Sequence, residues 1–514
     1  MSMDRGRRRT LVDIAFAAVA LVMIGVGLWL VLAPAADLVV ERTVVGTTPV
    51  TVFREAGVER APVVVIGHGF AGSQQLMQPI AVTLAKNGYA AVTFDFEGHG
   101  RNPVPMRGDV MDVETGPTGA LMAETGRVAD WAKAQPWSDG RLALLGHSMA
   151  CDILVRVAEA RPDVQALVAF SMFSPAVTAS EPTNLLVVVG GLEAGLKGEA
   201  LRVLRLAAGE QADAGTTYGD PADGTGRRVA FSAGVEHIGV LYAQATMAEA
   251  LGWLDGVFGH SGSGYLDARG PWLGLLFLGI VLLARPLSDR LPVVASPRTG
   301  AGVPWRLLWP LAVLPAVFTP LLLWRVPLGF LPAVVSDYLA AHFFVYGALT
   351  VIGLFVLRRR LRPADAHTDK AALAVGALAV TVYGIVGLGL PLDRFVVSFV
   401  PVGVRWLLLP AMLAGTLLWA LADEWLTRGI GDGRFAYPAT KLLFVLSLAG
   451  AVALDLERLF FLIIISPVIL VFFLVQGLFS RWVYARTGHP WVAAIGNAAV
   501  LAWAIAVTFP LLAK

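Results

Sequence analysis

Charge is scarce in this chain. Asp, Glu, Lys and Arg make up 15% of its 514 residues and hydrophobic residues 56%, whereas soluble domains carry about 25% charged residues. A wholly soluble protein is thereby excluded, and a large part of the chain must face lipid. Cysteine is almost absent. Cys151 stands alone, which rules out an intrachain disulfide and leaves the compartment to be read from topology. The formal net charge of +2 gives no global attraction to nucleic acid. Neither an internal repeat at a fixed period nor a low-complexity tract is visible. At roughly 100–200 residues per domain, the length admits two or three units.

The residues present divide by texture. Ile14 to Ala33 is an uncharged run of 20 residues, about the length of a helix that crosses a bilayer. Arg5, Arg7, Arg8 and Arg9 precede it, and Ala33-Pro34-Ala35-Ala36 has the form of a cleavage site. The run exceeds the apolar core of a signal peptide, so residues 1–38 read as a retained anchor with a basic cytoplasmic start. Under either reading the segment after it is exported. From Asp37 to His260, apolar runs of five to eight residues alternate with Gly, Pro and charged stretches, the pattern of a soluble α/β domain over residues 39–260. In residues 261–514 long apolar segments return, with about eight spans expected near 271–285, 305–324, 339–357, 371–391, 405–422, 442–454, 460–479 and 491–512. Leu328–Val335 is a candidate re-entrant piece.

Short loops test this layout, because Lys and Arg favour the cytoplasmic side. With the N-terminus inside, the inner loops hold Arg290 and Arg298, then Arg358, Arg359, Arg360, Arg362 and Lys370, then Arg428 and Arg434, then Arg481 and Arg486. The opposite loops hold chiefly Arg394 and Arg458. The alternation puts the soluble domain outside the cytoplasm, on a multi-pass protein of the plasma membrane.

Within that domain, Pro62-Val63-Val64-Val65-Ile66-Gly67 reads as a buried parallel strand that stops at His68-Gly69-Phe70. Gln78 to Asn87 has helical periodicity, and Ala90 to Asp95 is a second strand running into Glu97-Gly98-His99-Gly100-Arg101. A third strand, Leu142–Leu145, meets Gly146-His147-Ser148-Met149-Ala150, with a helix through Ala158. A serine at the apex of a sharp turn between strand and helix is the arrangement of a nucleophile elbow. A serine hydroxyl needs a base, and the base needs an acid to orient it. In this order of elements the acid follows a later strand and the histidine a still later one. Glu193 sits just past Leu185–Gly191, and His237 follows the strand Arg228–Phe231. Asp220 and Glu199 are the alternative acids. The N–H groups of Phe70 and Met149 are the expected oxyanion hole.

Residues 39–258 resemble the α/β-hydrolase superfamily on four motifs: His68-Gly69-Phe70, Asp95-Phe96-Glu97-Gly98-His99-Gly100, Gly146-His147-Ser148-Met149-Ala150 and Glu236-His237. In that family these correspond to the oxyanion loop, a structural turn, the nucleophile elbow and the catalytic histidine. Ala150 stands where the family usually has glycine, and Glu193 where Asp is commoner. His68 and His99 read as loop-shaping, His147 as packing beside the elbow, and Cys151 as a small buried packing residue. The resemblance implies a mostly parallel sheet flanked by helices. Lid helices common in the family have no room between Phe170 and Asn184, so the site is open or is covered by Met106–Ala120, Ala207–Gly226 or the membrane segment.

In the apolar half, Asp423-Glu424-Trp425-Leu426-Thr427-Arg428-Gly429 resembles a motif of CAAX-protease-like intramembrane proteins, as does Gly477–Asn497. Asp423 replaces that motif's first Glu, and the histidines expected on later helices are missing, so the charges read as helix-locking pairs rather than a protease site. His342 reads as a satisfied core histidine.

The fold expected is an α/β hydrolase joined to an all-α polytopic transmembrane domain. The function expected is cleavage of an ester, thioester or amide, with an acyl or lipid-like substrate and the membrane as its partners, and with no metal or organic cofactor. The rival readings are a non-catalytic hydrolase-like domain on a transporter or lipid-handling protein, and an intramembrane protease using Glu424.

Overall fold

The computed structural model describes residues 2–110, 112, 116–361, 366–429, 433 and 435–513, with backbone only for residues 2–10. Arg362 and Arg434, which the loop pattern assigns to the inner side, and part of the Met106–Ala120 stretch lie outside the described residues, as do the side chains of Arg5, Arg7, Arg8 and Arg9. The chain divides into two compact units. One comprises Gly25–Leu276, Leu392–Val402 and Pro510–Lys514, the other Met1–Ile24, Phe277–Pro391 and Gly403–Phe509.

The first unit is built on a sheet of nine strands: β1 Leu38–Val45, β2 Thr48–Glu55, β3 Ala61–Gly67, β4 Ala90–Phe94, β5 Ser138–His147, β6 Val164–Phe170, β7 Leu185–Gly190, β8 Thr217–Tyr218 and β9 Arg227–Ser232. Their order is β1-β2-β4-β3-β5-β6-β7-β9-β8. The run from β4 to β9 is parallel, while β1, β2 and β8 pair antiparallel at the margins. Every residue of β3, β4 and β7 is buried. Strands covered on both faces need apolar side chains at consecutive positions, which is why these segments are nearly continuous apolar runs, rich in Val, Leu and Ala, rather than alternating ones. Helices Gln78–Ala85, Thr118–Lys133, Met149–Glu159 and Ala194–Ala208 connect them, and Gln244–Phe258 follows the last strand. The core on one face joins Ile66, Leu145, Val168 and Val188 to Ile80, Leu84, Leu251 and Leu254. Between Phe170 and Leu185 no helix intervenes, in keeping with the missing lid.

Two distant pieces complete this unit. Ser398 N–H donates to Ser73 Oγ at 3.0 Å, and Gln75 Nε2 donates to Ser398 Oγ at 3.0 Å and to the Asp393 carbonyl at 3.1 Å. Leu511 N–H donates to the Gly98 carbonyl at 2.8 Å, and Met106 N–H to the Leu511 carbonyl at 3.0 Å. The last helix, expected to reach residue 512, stops at Thr508, one residue short of Phe509-Pro510, because proline cannot continue it.

Among the described residues nine helices are long and apolar enough to cross a membrane: Leu11–Ala35, Arg269–Ser288, Trp305–Leu323, Ser336–Leu357, Lys370–Phe395, Arg405–Thr427, Ala436–Leu454, Phe461–Thr487 and Pro490–Thr508. They fit a membrane protein. Leu328–Val335 forms no helix. The second unit holds two buried ion pairs, Glu424 with Arg428 at 3.1 Å and Asp423 with Lys441. His342 is fully buried, bonded to Ser447 Oγ at 3.1 Å through Nε2 and to Tyr338 Oη at 3.4 Å through Nδ1.

Candidate active site

Ser148 is the hinge between β5 and the helix Met149–Glu159, with φ 53° and ψ −117°. A non-glycine residue with positive φ is strained, and such strain clusters at functional sites. Ala71 (φ 56°) and Ser171 (φ 52°) share it, and both lie just beyond parallel strands, at the same end of the sheet as Ser148. The elbow is tight because strand and helix nearly touch. A Cβ on Gly146 would lie 2.8 Å from Leu154 Cδ1, and one on Gly67 would lie 3.0 Å from the Ala150 Cβ. Ala150 is therefore accommodated in place of a glycine because Gly67, on the facing strand, has no side chain.

Ser148 Oγ lies 2.9 Å from His237 Nε2. His237 Nδ1 lies 2.5 Å from Glu193 Oε1, which fixes Nδ1 as the protonated nitrogen and leaves Nε2 free to accept from the serine. Glu193 is held in turn. Its Oε2 accepts from Ser171 Oγ at 2.6 Å and from the Gly190 N–H at 2.8 Å. Burial pushes this carboxyl up, but the bonds from His237, Ser171 and Gly190 outweigh it and hold Glu193 below the usual glutamate range. Gly190 is required by proximity, since a Cβ there would sit 2.7 Å from the Val235 carbonyl and 2.8 Å from Glu193 Oε2. Glu236 accepts from the N–H groups of Ile238 and Gly239 at 2.7 and 2.8 Å, tying the turn that carries His237.

The remaining candidates fall into place around these. Gly69 closes on the elbow, where a Cβ would be 3.1 Å from the Ser148 Cβ, so Phe70 follows it at the rim. The Met149 N–H heads its helix, where it has no intrahelical acceptor. His68 donates from Nδ1 to the Gly69 carbonyl at 2.8 Å and accepts the Phe96 N–H at 3.2 Å, shaping the loop as expected. His147 is buried and its Nε2 donates to the His237 carbonyl at 2.9 Å. Burial pushes its pKa down to about 3, so it is a neutral support for the histidine turn. Cys151 is buried and burial raises its pKa, which removes it as a nucleophile. The alternative acids are elsewhere: Asp220 caps an exposed turn through Ala222 at 2.9 Å, and Glu199 pairs with Arg202 at 2.7 Å. Ser171 is a support that sequence reasoning missed, and Glu236, which stands in the histidine motif, had no role assigned there; each acts through a bond visible only in three dimensions.

Residues 59–221 match the model of the serine aminopeptidase S33 family; the match ends before His237. No curated protein matches the chain in sequence. Among solved structures, a dienelactone hydrolase from Anabaena variabilis is 15% identical, over 44% of this chain and 99% of that one, with a TM-score of 0.32. A protein described as a dienelactone hydrolase from Klebsiella pneumoniae is 16% identical, over 43% and 98%, with a TM-score of 0.33. An epoxide hydrolase from Vigna radiata is 21% identical, over 27% and 40%, with a TM-score of 0.22. The sheet order and the family match, which spans Ser148 and Glu193, together mark an α/β-hydrolase domain.

Proposed function

We propose that this domain is a serine hydrolase working through an acyl-enzyme. The reading is carried by one observation: Ser148 Oγ at 2.9 Å from His237 Nε2, whose other nitrogen meets Glu193 at 2.5 Å. Ser148 Oγ attacks the substrate carbonyl carbon while its proton passes to His237 Nε2. The carbonyl oxygen becomes an oxyanion that the Phe70 and Met149 N–H groups stabilise. Collapse breaks the bond to the leaving alcohol, thiol or amine, which takes the proton from His237. Water then gives a proton to His237, attacks the acyl carbon and releases the acid, and Ser148 recovers its proton. Glu193 stays ionised throughout and balances the transient imidazolium.

Apolar side chains mark the rim of the site. Phe173, Leu192 and Ile238 are exposed, and each lies within two residues of Ser171, Glu193 or His237. Exposed apolar side chains beside a nucleophile favour an acyl group with hydrocarbon character. In the proposed arrangement the domain is tethered by the spans and faces the extracytoplasmic side, and its substrate is a lipid-linked ester, thioester or amide.

The test is turnover by the full-length protein in detergent, with p-nitrophenyl acyl esters of increasing chain length and an aminoacyl p-nitroanilide as the amide probe. Ser148→Ala and His237→Ala should lose roughly 10⁴-fold or more in kcat. Glu193→Gln should lose roughly 10³–10⁴-fold, while Glu199→Gln stays near wild type. Ester hydrolysis unchanged in Ser148→Ala would remove the assignment.

A further inference from the structure

A second site lies away from the serine. A recess of about 200 Å³ is lined by Arg42, Thr51, Gln74, Gln75, Arg101, Asp393 and Arg394, among others. All of it belongs to the first compact unit, with Asp393 and Arg394 supplied by Leu392–Val402. Ser148, Glu193, His237, Phe70 and Met149 take no part in its lining, so a ligand there would be independent of the hydrolytic reading.

The charges in the recess do not balance. Asp393 is the single carboxylate of its lining, and both of its oxygens are occupied. Oδ2 meets Arg101 at 2.5 Å, and Oδ1 accepts the Phe399 and Val400 N–H groups at 2.8 and 3.2 Å. Arg101 is thereby compensated. Arg42 and Arg394 make no ion pair among the described residues, and Arg394 lies within electrostatic reach of three like charges, Arg42, Arg269 and Arg101, against one opposite charge, Asp393. Arg269 is itself paired with Asp267 at 2.7 Å. The polar walls are spent on structure. Gln74 bonds Asp95 at 3.0 Å, Gln75 bonds Ser398, and Gln78 links the Arg394 carbonyl to Arg269 at 3.0 and 3.1 Å. Two guanidinium groups thus face one small concavity with no carboxylate bonded to them, and the one carboxylate that acts on Arg394, Asp393, is already bonded to Arg101. Like charges held together raise the free energy of the unit, and a bound anion relieves it. Planar guanidinium forks suit tetrahedral oxyanions, above all phosphate, through paired N–H···O bonds.

Chain position narrows the source. Arg394 stands at the end of the span Lys370–Phe395, and Arg269 opens the span Arg269–Ser288. Arginines at span ends lie where lipid phosphates lie. We propose that this recess binds a phosphate monoanion or phosphodiester, with the headgroup of an anionic phospholipid as its occupant in the membrane.

The test is equilibrium dialysis of the full-length protein in a neutral detergent. The ligands are inorganic phosphate, short-chain phosphatidylglycerol below its micellar concentration, and phosphatidylcholine of the same chain length. The variants are Arg42→Gln, Arg394→Gln, the double variant, and Arg394→Lys to keep charge while losing the fork. Circular dichroism melting checks that each is folded. Saturable binding of phosphatidylglycerol, about tenfold weaker for each guanidinium removed and only partly restored in Arg394→Lys, supports the site. Phosphatidylglycerol binding without inorganic phosphate binding assigns the lipid headgroup; binding of both with similar affinity keeps the phosphate site and assigns the free ion as an equal occupant. Equal binding by wild type and the folded double variant, or equal affinity for the zwitterionic lipid, overturns the proposal. Should the double variant fail to fold, Arg42→Gln decides alone, since Arg42 is an exposed position on β1.

Discussion

Glu193 shows what a side chain needs in order to orient a base. It is nearly enclosed, and three donors converge on it from a histidine, a serine and a backbone amide. Its place at the end of β7 was legible in the sequence because the order serine, acid, histidine follows the order of strands. Ser171 was not, because its role is a contact across two loops. A second buried carboxyl behaves differently. Glu124 accepts from Thr48 Oγ1 at 2.5 Å, Asn102 Nδ2 at 2.8 Å and the Glu97 N–H at 2.8 Å. Burial nevertheless lifts its pKa to about 7, those bonds opposing the rise. The unfolded chain titrates near 4.3, so the folded state holds this proton more tightly. The stabilising contribution is complete below about pH 4.3 and is lost as pH rises toward 7, on the order of 3 kcal/mol in all. Thermal or urea unfolding between pH 5 and 7.5 should show a decline in stability that Glu124→Gln flattens. An identical pH slope in the variant would mean that Glu124 does not carry it.

At the scale of elements, the central strands declared themselves. Val63–Ile66, Leu142–Leu145 and Leu185–Val189 are apolar at every position, a pattern that only burial on both faces explains. The marginal hairpin β1–β2 mixes polar and apolar residues with no clean period of two, so it has no strand signature of its own within the general α/β texture. Leu392–Val402 and residues 510–513 could not be foreseen, because their partners Gln75 and Met106 lie hundreds of residues away. Lys441, the partner of Asp423, was missed for a related reason: it sits on a different helix, out of reach of any one-turn rule. The contact between β3 and the helix behind Ser148 is a local feature with a sharp consequence. Gly67→Ala places a methyl group 3.0 Å from the Ala150 Cβ and 3.1 Å from Phe96 Cε2, so it should destabilise by roughly 1–3 kcal/mol. The double variant Gly67→Ala/Ala150→Gly should recover part of that loss, as read by Tm. A double variant no better than the single would show that Phe96 or the backbone sets the limit, and not Ala150.

For the whole molecule, composition points to a lipid-facing part, and the nine candidate spans among the described residues, which coincide closely with the apolar segments read from the sequence, fit a membrane protein. Sidedness rests on the Lys and Arg bias of the loops. Impermeant thiol labelling of intact cells checks it, after Cys151 is replaced. Arg290, exposed in the first inner loop, is the reporter. Arg290→Cys should resist the reagent until cells are permeabilised, while Asp220→Cys, on the hydrolase domain, should react at once. The reverse pattern would invert the arrangement.

The central claim is that Ser148 is a nucleophile activated through His237. It is tested most directly by intact-mass analysis of the full-length protein after exposure to a fluorophosphonate, with peptide mapping of the adduct. The account predicts one phosphonyl adduct per chain, on Ser148, formed slowly or not at all in His237→Ala. A wild-type protein that gains no adduct, or gains it at the same rate on another residue in Ser148→Ala, would contradict it.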